Sequence, residues 1–201
     1  MNSNYSHKVA RIISTIFVPP LFTIIIFTIF AFTLESETSK ILSTIVIALI
    51  FGFIAPITLF LIFRKKGKLT DQDASIKEER TIPFFIALVF YLIGLFLMIR
   101  FNLNIISIAF WFCYISNTLI TIIINKYWKI SAHSMGASGP FAALIYAFGV
   151  IGLFLFPVVI LVGWSRIKLK CHSLSQVVAG ILLAFFSTFI QMSLIIKYFN
   201  K

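Results

Sequence analysis

The sequence predicts an all-α protein, a multi-pass membrane bundle of six to seven transmembrane helices. Hydrophobic residues make up 60% of the 201 residues and charged residues only 11%, which is more apolar surface than a soluble domain of this size can bury. The apolar residues are gathered into runs close to the roughly 20 residues that a helix needs to cross a bilayer. No repeat of fixed period is visible, so we interpret residues 1–201 as one domain.

Six apolar runs support this helix count. They are residues 12–33, 41–63, 83–99, 103–124, 139–164 and 174–196. The first run has Pro19-Pro20 near its start and is too long for the core of a signal peptide. In the second run, Pro56 predicts a kink, because proline removes a helical hydrogen bond.

The net charge of +11 is carried mainly by the polar connections 64–82, 125–139 and 165–176. In a membrane protein such an excess belongs to cytoplasmic loops or to a site for an anion. A nucleic acid partner is excluded by the lack of a soluble basic domain, and no obligatory protein partner is indicated. The two cysteines have no metal-ligand spacing, so we expect neither a metal nor a disulfide framework.

The connection 165–176 carries the most specific pattern. Ser165-Arg166 is followed by five residues, then His172, three more residues and Gln176. His172 and Gln176 are four residues apart and share one face of the last helix, so the amide oxygen can accept a hydrogen bond from the imidazole. The other imidazole nitrogen would then be available as a nucleophile or base. The planar guanidinium of Arg166 suits a phosphate.

The other two connections add complementary groups. In the connection 125–139, an apolar helix begins with Ser131, Ala132 and His133, and its first backbone N–H groups are available to an anion. Ser131 adds a hydroxyl donor, and His133 can carry a proton. In the connection 64–82, Lys77 and Arg80 lie one helical turn apart.

Together these residues suit phosphoryl transfer without a metal or other cofactor. Cations would hold the equatorial oxygens, one histidine would attack phosphorus, and the other would protonate the leaving oxygen.

At these residues the chain resembles the type 2 phosphatidic acid phosphatase superfamily, which comprises lipid phosphate phosphatases and haloperoxidase relatives. Its third signature, Ser-Arg, five residues, His, three residues, Asp, matches at Ser165, Arg166 and His172, with Gln176 in place of Asp. The order and spacing of the signatures make the resemblance specific over residues 68–180.

The other two signatures match less completely. The second, Pro-Ser-Gly-His, matches at Ser131 and His133, with Ile130 and Ala132 in place of Pro and Gly. The first, Lys, six residues, Arg-Pro, is degraded. There Lys77 is only three residues before Arg80, and the next proline is Pro83.

The resemblance implies a function and a role for each residue. His172 would be the nucleophile that forms a phosphohistidine, His133 the proton donor to the leaving alcohol, and Gln176 the residue that orients His172. The expected substrate-binding residues are Lys77, Arg80, Ser131, Ala132, Ser165 and Arg166. The expected enzyme is a phosphatase that hydrolyses a lipid phosphate or pyrophosphate within the bilayer.

Two alternatives belong to other classes of protein. One is a catalytically weak or inactive protein that binds anionic lipid on the same scaffold. The other is a transporter or flippase, which is disfavoured because the polar residues cluster at helix ends and not at mid-membrane.

A shared site constrains the topology. A single helix over 139–164 would place His133 and His172 on opposite sides of the membrane. We therefore predict that this run turns near Gly149–Gly152 into two helices of about 14 residues, each roughly 21 Å long. They would be shorter than the hydrocarbon core of about 30 Å, with the site at headgroup depth. The count is then seven helices, with six and a re-entrant segment as the alternative.

The distribution of positive charge predicts the orientation. With seven helices, 13 of the 17 Lys and Arg residues fall on the side of the three connections. The positive-inside rule then places the site on the cytoplasmic face of what we expect to be a bacterial cytoplasmic membrane. The basic residues outside the signatures are interpreted as a solvated edge; they include Lys65, Lys66, Lys68, Lys126, Lys129, Lys168 and Lys170. Lys126 and Lys129 would also suit a second phosphate.

Overall fold

The computed structural model describes residues 3–71 and 76–199, and all regular secondary structure in these residues is helical. The helices are α1 (Ser3–Ile16), α2 (Pro19–Leu34), α3 (Thr38–Ile47), α4 (Ala55–Lys65), α5 (Thr81–Arg100), α6 (Ile105–Tyr127), α7 (Ala132–Phe148), α8 (Phe156–Lys168) and α9 (Leu174–Phe199). A π-helical segment, Ala48–Ile54, joins α3 to α4, and 3-10 segments, Glu78–Arg80 and Gly149–Leu155, precede α5 and α8. Residues 72–75, in the first predicted site connection, lie outside the described residues.

In the described residues, five helical runs are long and apolar enough to cross a membrane, and the bent pair α1 and α2 would raise the number to six. One of the five, Ala132–Lys168, contains α7, the 3-10 segment and α8. Large apolar side chains cover the outside of the bundle; Phe32, Phe96 and Phe186, for example, are each more than half exposed. Such a surface requires lipid around it. The protein is therefore an all-α, multi-pass integral membrane protein.

The predicted single helix over 12–33 is wrong in its first third. The chain breaks after Ile16, Val18 is extended (φ −76°, ψ 150°), and α2 begins only at Pro19, at an angle of 53° to α1. The cause is steric, because a proline pushes the residue before it out of the helical region. Consequently α1 is a separate amphipathic helix, which packs against the end of α8 through Ala10, Leu169 and Cys171.

The second predicted run forms one continuous helix from Thr38 to Lys65. Pro56 would clash with the carbonyl of Gly52 in a regular α-helix, and the π-helical segment covers this position. Gly52 also lets α2 approach, since a Cβ atom there would lie 2.3 Å from Thr23 Cγ2. The expected kink therefore takes the form of a locally widened helix.

The run over 139–164 turns back on itself, as predicted. Gly149 has φ +61°, which favours glycine, and it ends α7. Gly152 then lies against α7, where a Cβ atom would be only 2.5 Å from Ile145 N. Farther along, Val159 and Val162 of α8 pack in one cluster with Ala137 and Phe141 of α7. The helices of this hairpin have 17 and 13 residues.

The core is built largely from aromatic side chains and close glycine contacts. Trp111 is fully buried, and its indole ring lies on Gly94, where a Cβ atom would be 2.2 Å away. Its Nε1 donates a hydrogen bond of 2.7 Å to the Tyr91 carbonyl, which satisfies the buried indole. At the site end, Gly180 of α9 allows close contact with the carbonyl of Ser131 at the start of α7.

Candidate anion-binding active site

The three predicted site connections meet at one end of the bundle. Arg80 Nη1 donates a hydrogen bond of 3.3 Å to the Ile130 carbonyl, which joins the first connection to the second. Lys129 Nζ donates one of 2.6 Å to the Cys171 carbonyl, which joins the second to the third. The connections therefore lie on one face, as a shared site requires.

A cavity of about 430 Å³ lies beside this junction, and its wall includes Arg80, Ala132, His133 and His172. Four of the predicted site residues, from three different connections, thus face one space. Arg80 and His172 are buried, whereas Ala132 and His133 are half-buried. In the described part of the chain, no three His, Cys, Asp or Glu side chains are placed to hold a metal ion.

The backbone at the end of α8 explains the spacing between Arg166 and His172. Lys170 is left-handed (φ +55°), its N–H bonds the Ile167 carbonyl at 2.9 Å, and the Cys171 N–H bonds the Arg166 carbonyl at 3.1 Å. These bonds form a Schellman motif, which satisfies the last carbonyls of a helix. The His172 N–H also reaches the Arg166 carbonyl, at 3.3 Å. The motif therefore holds His172 directly over the end of the helix that carries Arg166.

Gln176 contacts His172 one helical turn away, and this contact bears on the tautomer of the imidazole. Its Oε1 lies 3.2 Å from His172 Nδ1 and accepts a 3.1 Å hydrogen bond from the Ser173 backbone N–H. Because the Ser173 N–H can only donate, the amide oxygen and not the nitrogen faces both groups. Nδ1 must then carry the proton, and Nε2 keeps its lone pair.

The surroundings of His172 favour the neutral imidazole. Burial, followed by the positive charges of Arg80, Lys129 and Arg166, lowers the pKa of His172 to about 3, against a smaller opposing effect of Gln176. The imidazole is therefore uncharged at neutral pH, as a nucleophile requires.

Lys129 is a site residue that sequence analysis assigned to the solvated basic edge. It is only partly exposed, and burial and then the charge of Arg80 lower the pKa of its ammonium group, despite a favourable effect of Asp71. The one feature of the sequence that could have indicated a site role for Lys129 is its position two residues before Ser131. A lysine next to a membrane helix, however, also satisfies the positive-inside rule, so the pattern alone did not distinguish the two roles.

Arg166 lies behind the cavity and belongs to a contact that the sequence did not predict. Its side chain is fully buried, and Nη1 donates a hydrogen bond to Ser14 Oγ of α1. Ser14 is itself buried and lines the cavity. Thus the last turn of α1, which the sequence analysis placed at the start of the span 12–33, helps to hold Arg166, a predicted phosphate-binding residue.

The hydroxyl groups of the two predicted serine ligands serve their own helices. Ser131 Oγ caps α7, accepting hydrogen bonds from the N–H of Ser134 at 3.3 Å and from its hydroxyl at 2.8 Å. Ser165 Oγ donates to the Val162 carbonyl at 2.7 Å. Both serines are fully buried, so Ala132 and His133 form the cavity wall here. Ser131 stands at a helix start, where serine prefers the cap, and Ser165 bonds back to a carbonyl of the preceding turn of α8.

Lys77 is also placed differently from the prediction. Its Nζ donates a hydrogen bond of 2.9 Å to the Lys126 carbonyl and lies 3.7 Å from Glu78 Oε1. These contacts direct the ammonium group towards the end of α6. Lys129 is therefore the lysine that stands beside His172 in this structure.

Fold and site together define a multi-pass membrane protein with a cluster of cationic side chains beside a cavity at one end of the bundle. Comparison with protein-family models, with curated proteins and with solved structures finds no match to this chain.

Proposed function

We propose that the protein is a membrane phosphatase that hydrolyses a lipid phosphate or pyrophosphate through a phosphohistidine, without a metal. The observation that carries this proposal is the neutral His172 with an available Nε2, facing the same cavity as Arg80 and His133. It also accounts for the resemblance to the type 2 phosphatidic acid phosphatase superfamily.

In the first step, the lone pair of His172 Nε2 attacks phosphorus. The bond between phosphorus and the leaving oxygen breaks, its electron pair goes to that oxygen, and His133 delivers a proton there. In the second step, His133 removes a proton from water, and the resulting hydroxide attacks phosphorus. The phosphorus–nitrogen bond breaks, its electron pair returns to Nε2, and inorganic phosphate leaves.

The cations around His172 suit the charge of this reaction. Arg80, Lys129 and Arg166 act electrostatically on His172 from three different connections. Their fixed positive charges would stabilise the equatorial oxygens of the transition state. The same charges disfavour protonation of His172 until the phosphate neutralises them.

A lipid substrate is supported by the shape of the cavity. From Arg80, immediately before α5, the wall extends along α5 to Tyr91, 11 residues later, which is about 16 Å along a helix. On α4 it extends from Arg64 back to Pro56, about 12 Å. The side chains between these limits are mainly apolar, including Phe60, Phe84 and Ala87. An amphiphile would place its phosphate at the charged end and its chain between α4 and α5.

The positive-inside rule supports a site on the cytoplasmic face, which we take to be that of a bacterial cytoplasmic membrane. The other end of the bundle, where Glu35 Oε1 accepts a 2.6 Å hydrogen bond from the Asn104 N–H, carries only a few basic residues.

Phosphate release from a panel of lipid phosphates by the purified protein tests the proposal. We expect His172→Ala to abolish release, and His133→Ala to lose less activity on substrates with an activated aryl leaving group. His7→Ala is the matched control, because His7 is an exposed histidine of α1. Binding of anionic lipid without any release by the wild-type protein would favour the non-catalytic alternative.

A further inference from the structure

A second cavity, the interior cavity, has a volume of about 130 Å³ and lies inside the bundle. Its wall is formed by α2, α5, α6, α7 and α9. Asn117 and Thr118 line it from the middle of α6, so part of the polar wall lies far from either end of that helix. Polar groups at this depth are costly in hydrocarbon unless they are hydrogen-bonded. The hydrogen bonds of the wall therefore indicate what the cavity holds.

Four donors on this wall find no acceptor among the described residues. The hydroxyl groups of Tyr91 and Thr118 have no hydrogen-bond partner there. Tyr114 OH and Thr23 Oγ1 share a single hydrogen bond of 3.1 Å, which leaves the proton of one hydroxyl over. Asn117 Nδ2 uses one N–H in a 3.0 Å bond to α9 and keeps the second. These donors require acceptors inside the cavity.

Water meets this requirement. One water molecule occupies roughly 30 Å³ in the liquid, so the interior cavity has room for about four. Water both accepts and donates, so a small cluster can bond the hydroxyl and amide groups of the wall together. The end of a lipid chain would fill the same space but would leave every donor unsatisfied, at a cost for each group. The chemistry of the wall therefore favours water over an apolar ligand.

The interior cavity borders the larger cavity beside His172, the site cavity. The two cavities share five wall residues, which are Pro19, Phe84, Ala87, Tyr91 and Ala132. The side chains of Ala87 and Ala132 consist of one methyl group, so they add little to the partition at these two positions. Ala132 directly precedes His133, which lines the site cavity. The interior cavity thus adjoins the wall that carries the proposed proton-transfer residue.

We infer that the interior cavity holds a cluster of water molecules and supplies the water that hydrolyses the phosphohistidine. This inference rests on the proposed function. His133 takes a proton from a water molecule drawn from the cluster, and the water oxygen bonds to phosphorus. The phosphorus–nitrogen bond breaks, its electron pair returns to His172 Nε2, and inorganic phosphate leaves. A lipid chain along α4 and α5 would not block this route, because the water arrives through the partition.

Hydroxyl-radical labelling of the full-length protein in detergent tests whether the interior cavity is hydrated. A short X-ray pulse generates the radicals from water, so they oxidise the side chains that water contacts. Met135 lines the interior cavity, whereas Met98 and Met192 are fully buried and line neither cavity. We expect oxidation of Met135 and protection of the other two methionines. Equal protection of all three would overturn the inference, whether or not the protein is a phosphatase.

The kinetic test removes hydroxyl groups from the wall without changing its shape. Tyr114→Phe and Thr118→Val alter residues that line the interior cavity but not the site cavity. We expect the double variant to release phosphate about tenfold more slowly in the steady state, because the cluster loses hydrogen bonds. Release of the lipid product in the first turnover needs no water and should stay within about twofold of the wild-type rate. Phosphohistidine should therefore accumulate in this variant, and oxidation of Met135 should fall.

Thr44→Val and Tyr146→Phe are the matched controls, because they make the same chemical changes at residues that line neither cavity. The hydroxyl of Thr44 is buried without a hydrogen-bond partner in the described residues, as the hydroxyl of Thr118 lacks one. Both controls should keep the wild-type rates. Equal slowing of both steps in the double variant, or no slowing, would overturn the inference and leave the phosphatase proposal intact. If the wild-type protein releases no phosphate, the proposed function and the supply of water fall together, whereas oxidation of Met135 would still establish a hydrated cavity.

Discussion

His172 shows how neighbouring residues determine the state of one side chain. Burial and three cations keep its imidazole neutral, and Gln176 determines which nitrogen carries the proton. The neutral imidazole therefore keeps an available lone pair on Nε2, close to the cations that would attract a phosphate. Binding of an anion should raise its pKa, because the negative charge offsets Arg80, Lys129 and Arg166.

The lowered pKa of His172 predicts a pH dependence of stability. Since the folded-state pKa is about 3 and the unfolded value about 6.5, the unfolded chain binds more protons in the interval between them. The contribution of His172 to stability is therefore present above about pH 6.5 and is lost as the pH falls towards 3. Thermal unfolding in detergent should show a smaller loss between pH 7 and 4.5 for His172→Gln than for the wild-type protein. Identical slopes would show that His172 is not buried as a neutral group.

Substitutions of Gln176 test its role in positioning. Gln176→Ala should lower kcat roughly 10- to 100-fold, because the tautomer and orientation of His172 are no longer fixed. Gln176→Glu keeps the length and both acceptor contacts and adds a negative charge, so we expect activity to be retained and the pKa of His172 to rise. A shift of the acid limb of the pH–rate profile to higher pH in this variant is the signature. A merely structural role would leave the profile unchanged.

The local part of the site could be predicted from sequence, whereas its long-range part could not. His172 and Gln176 are one helical turn apart, so their contact follows from helix geometry. Lys129 and Ser14 join the site only because α1, α6 and α8 meet at one end of the bundle. The serine ligands implied by the resemblance turned out to bond their own helices, which spacing alone does not reveal.

At the scale of the elements, the α7–α8 hairpin and the α7–α9 contact place the two histidines together. The hairpin could be predicted from the chemistry, because both histidines had to reach one face, but not from the uninterrupted apolar pattern of residues 139–164. The break between α1 and α2 was missed, although Pro19-Pro20 was visible. The mainly apolar residues 12–16 before this proline pair are typical of the first turns of a membrane span, so the sequence did not reveal the break.

The close contact at Gly180 predicts a specific sensitivity. A Cβ atom there would lie 3.0 Å from the Ser131 carbonyl oxygen, a backbone atom that cannot rotate away. Gly180→Ala should displace α9 from the start of α7, cost about 1–3 kcal/mol and reduce phosphate release. Gly139→Ala is the control, because its nearest neighbour is the side-chain hydroxyl of Thr188 at 3.3 Å. Equal melting temperatures for the two variants would show that the α7–α9 contact is not under this constraint.

At the scale of the whole molecule, the site connections gather at one end and the less basic connections at the other. Glu35 and Asn104 mark that second end, where the α2–α3 and α5–α6 connections meet. Composition predicted the membrane class and most helices, because a bilayer demands long apolar segments. Which residues converge depends on how the helices pack, and this is not contained in any single segment.

The orientation can be tested with Lys68, which is exposed beyond the end of α4. In a Lys68→Cys variant with Cys113 and Cys171 replaced, an impermeant thiol reagent should not label intact cells but should label opened membranes. Ready labelling of intact cells would place the site on the outer face.

The central claim is a covalent phosphate on His172, and trapping that intermediate tests it most directly. Purified protein is mixed with radiolabelled substrate, quenched in alkali within milliseconds, since phosphohistidine is labile in acid, and analysed by peptide mass spectrometry. We predict phosphate on the imidazole of His172, absent in His172→Ala and present in His7→Ala. Release of phosphate without any labelled protein, or with the label on another residue, would contradict the account.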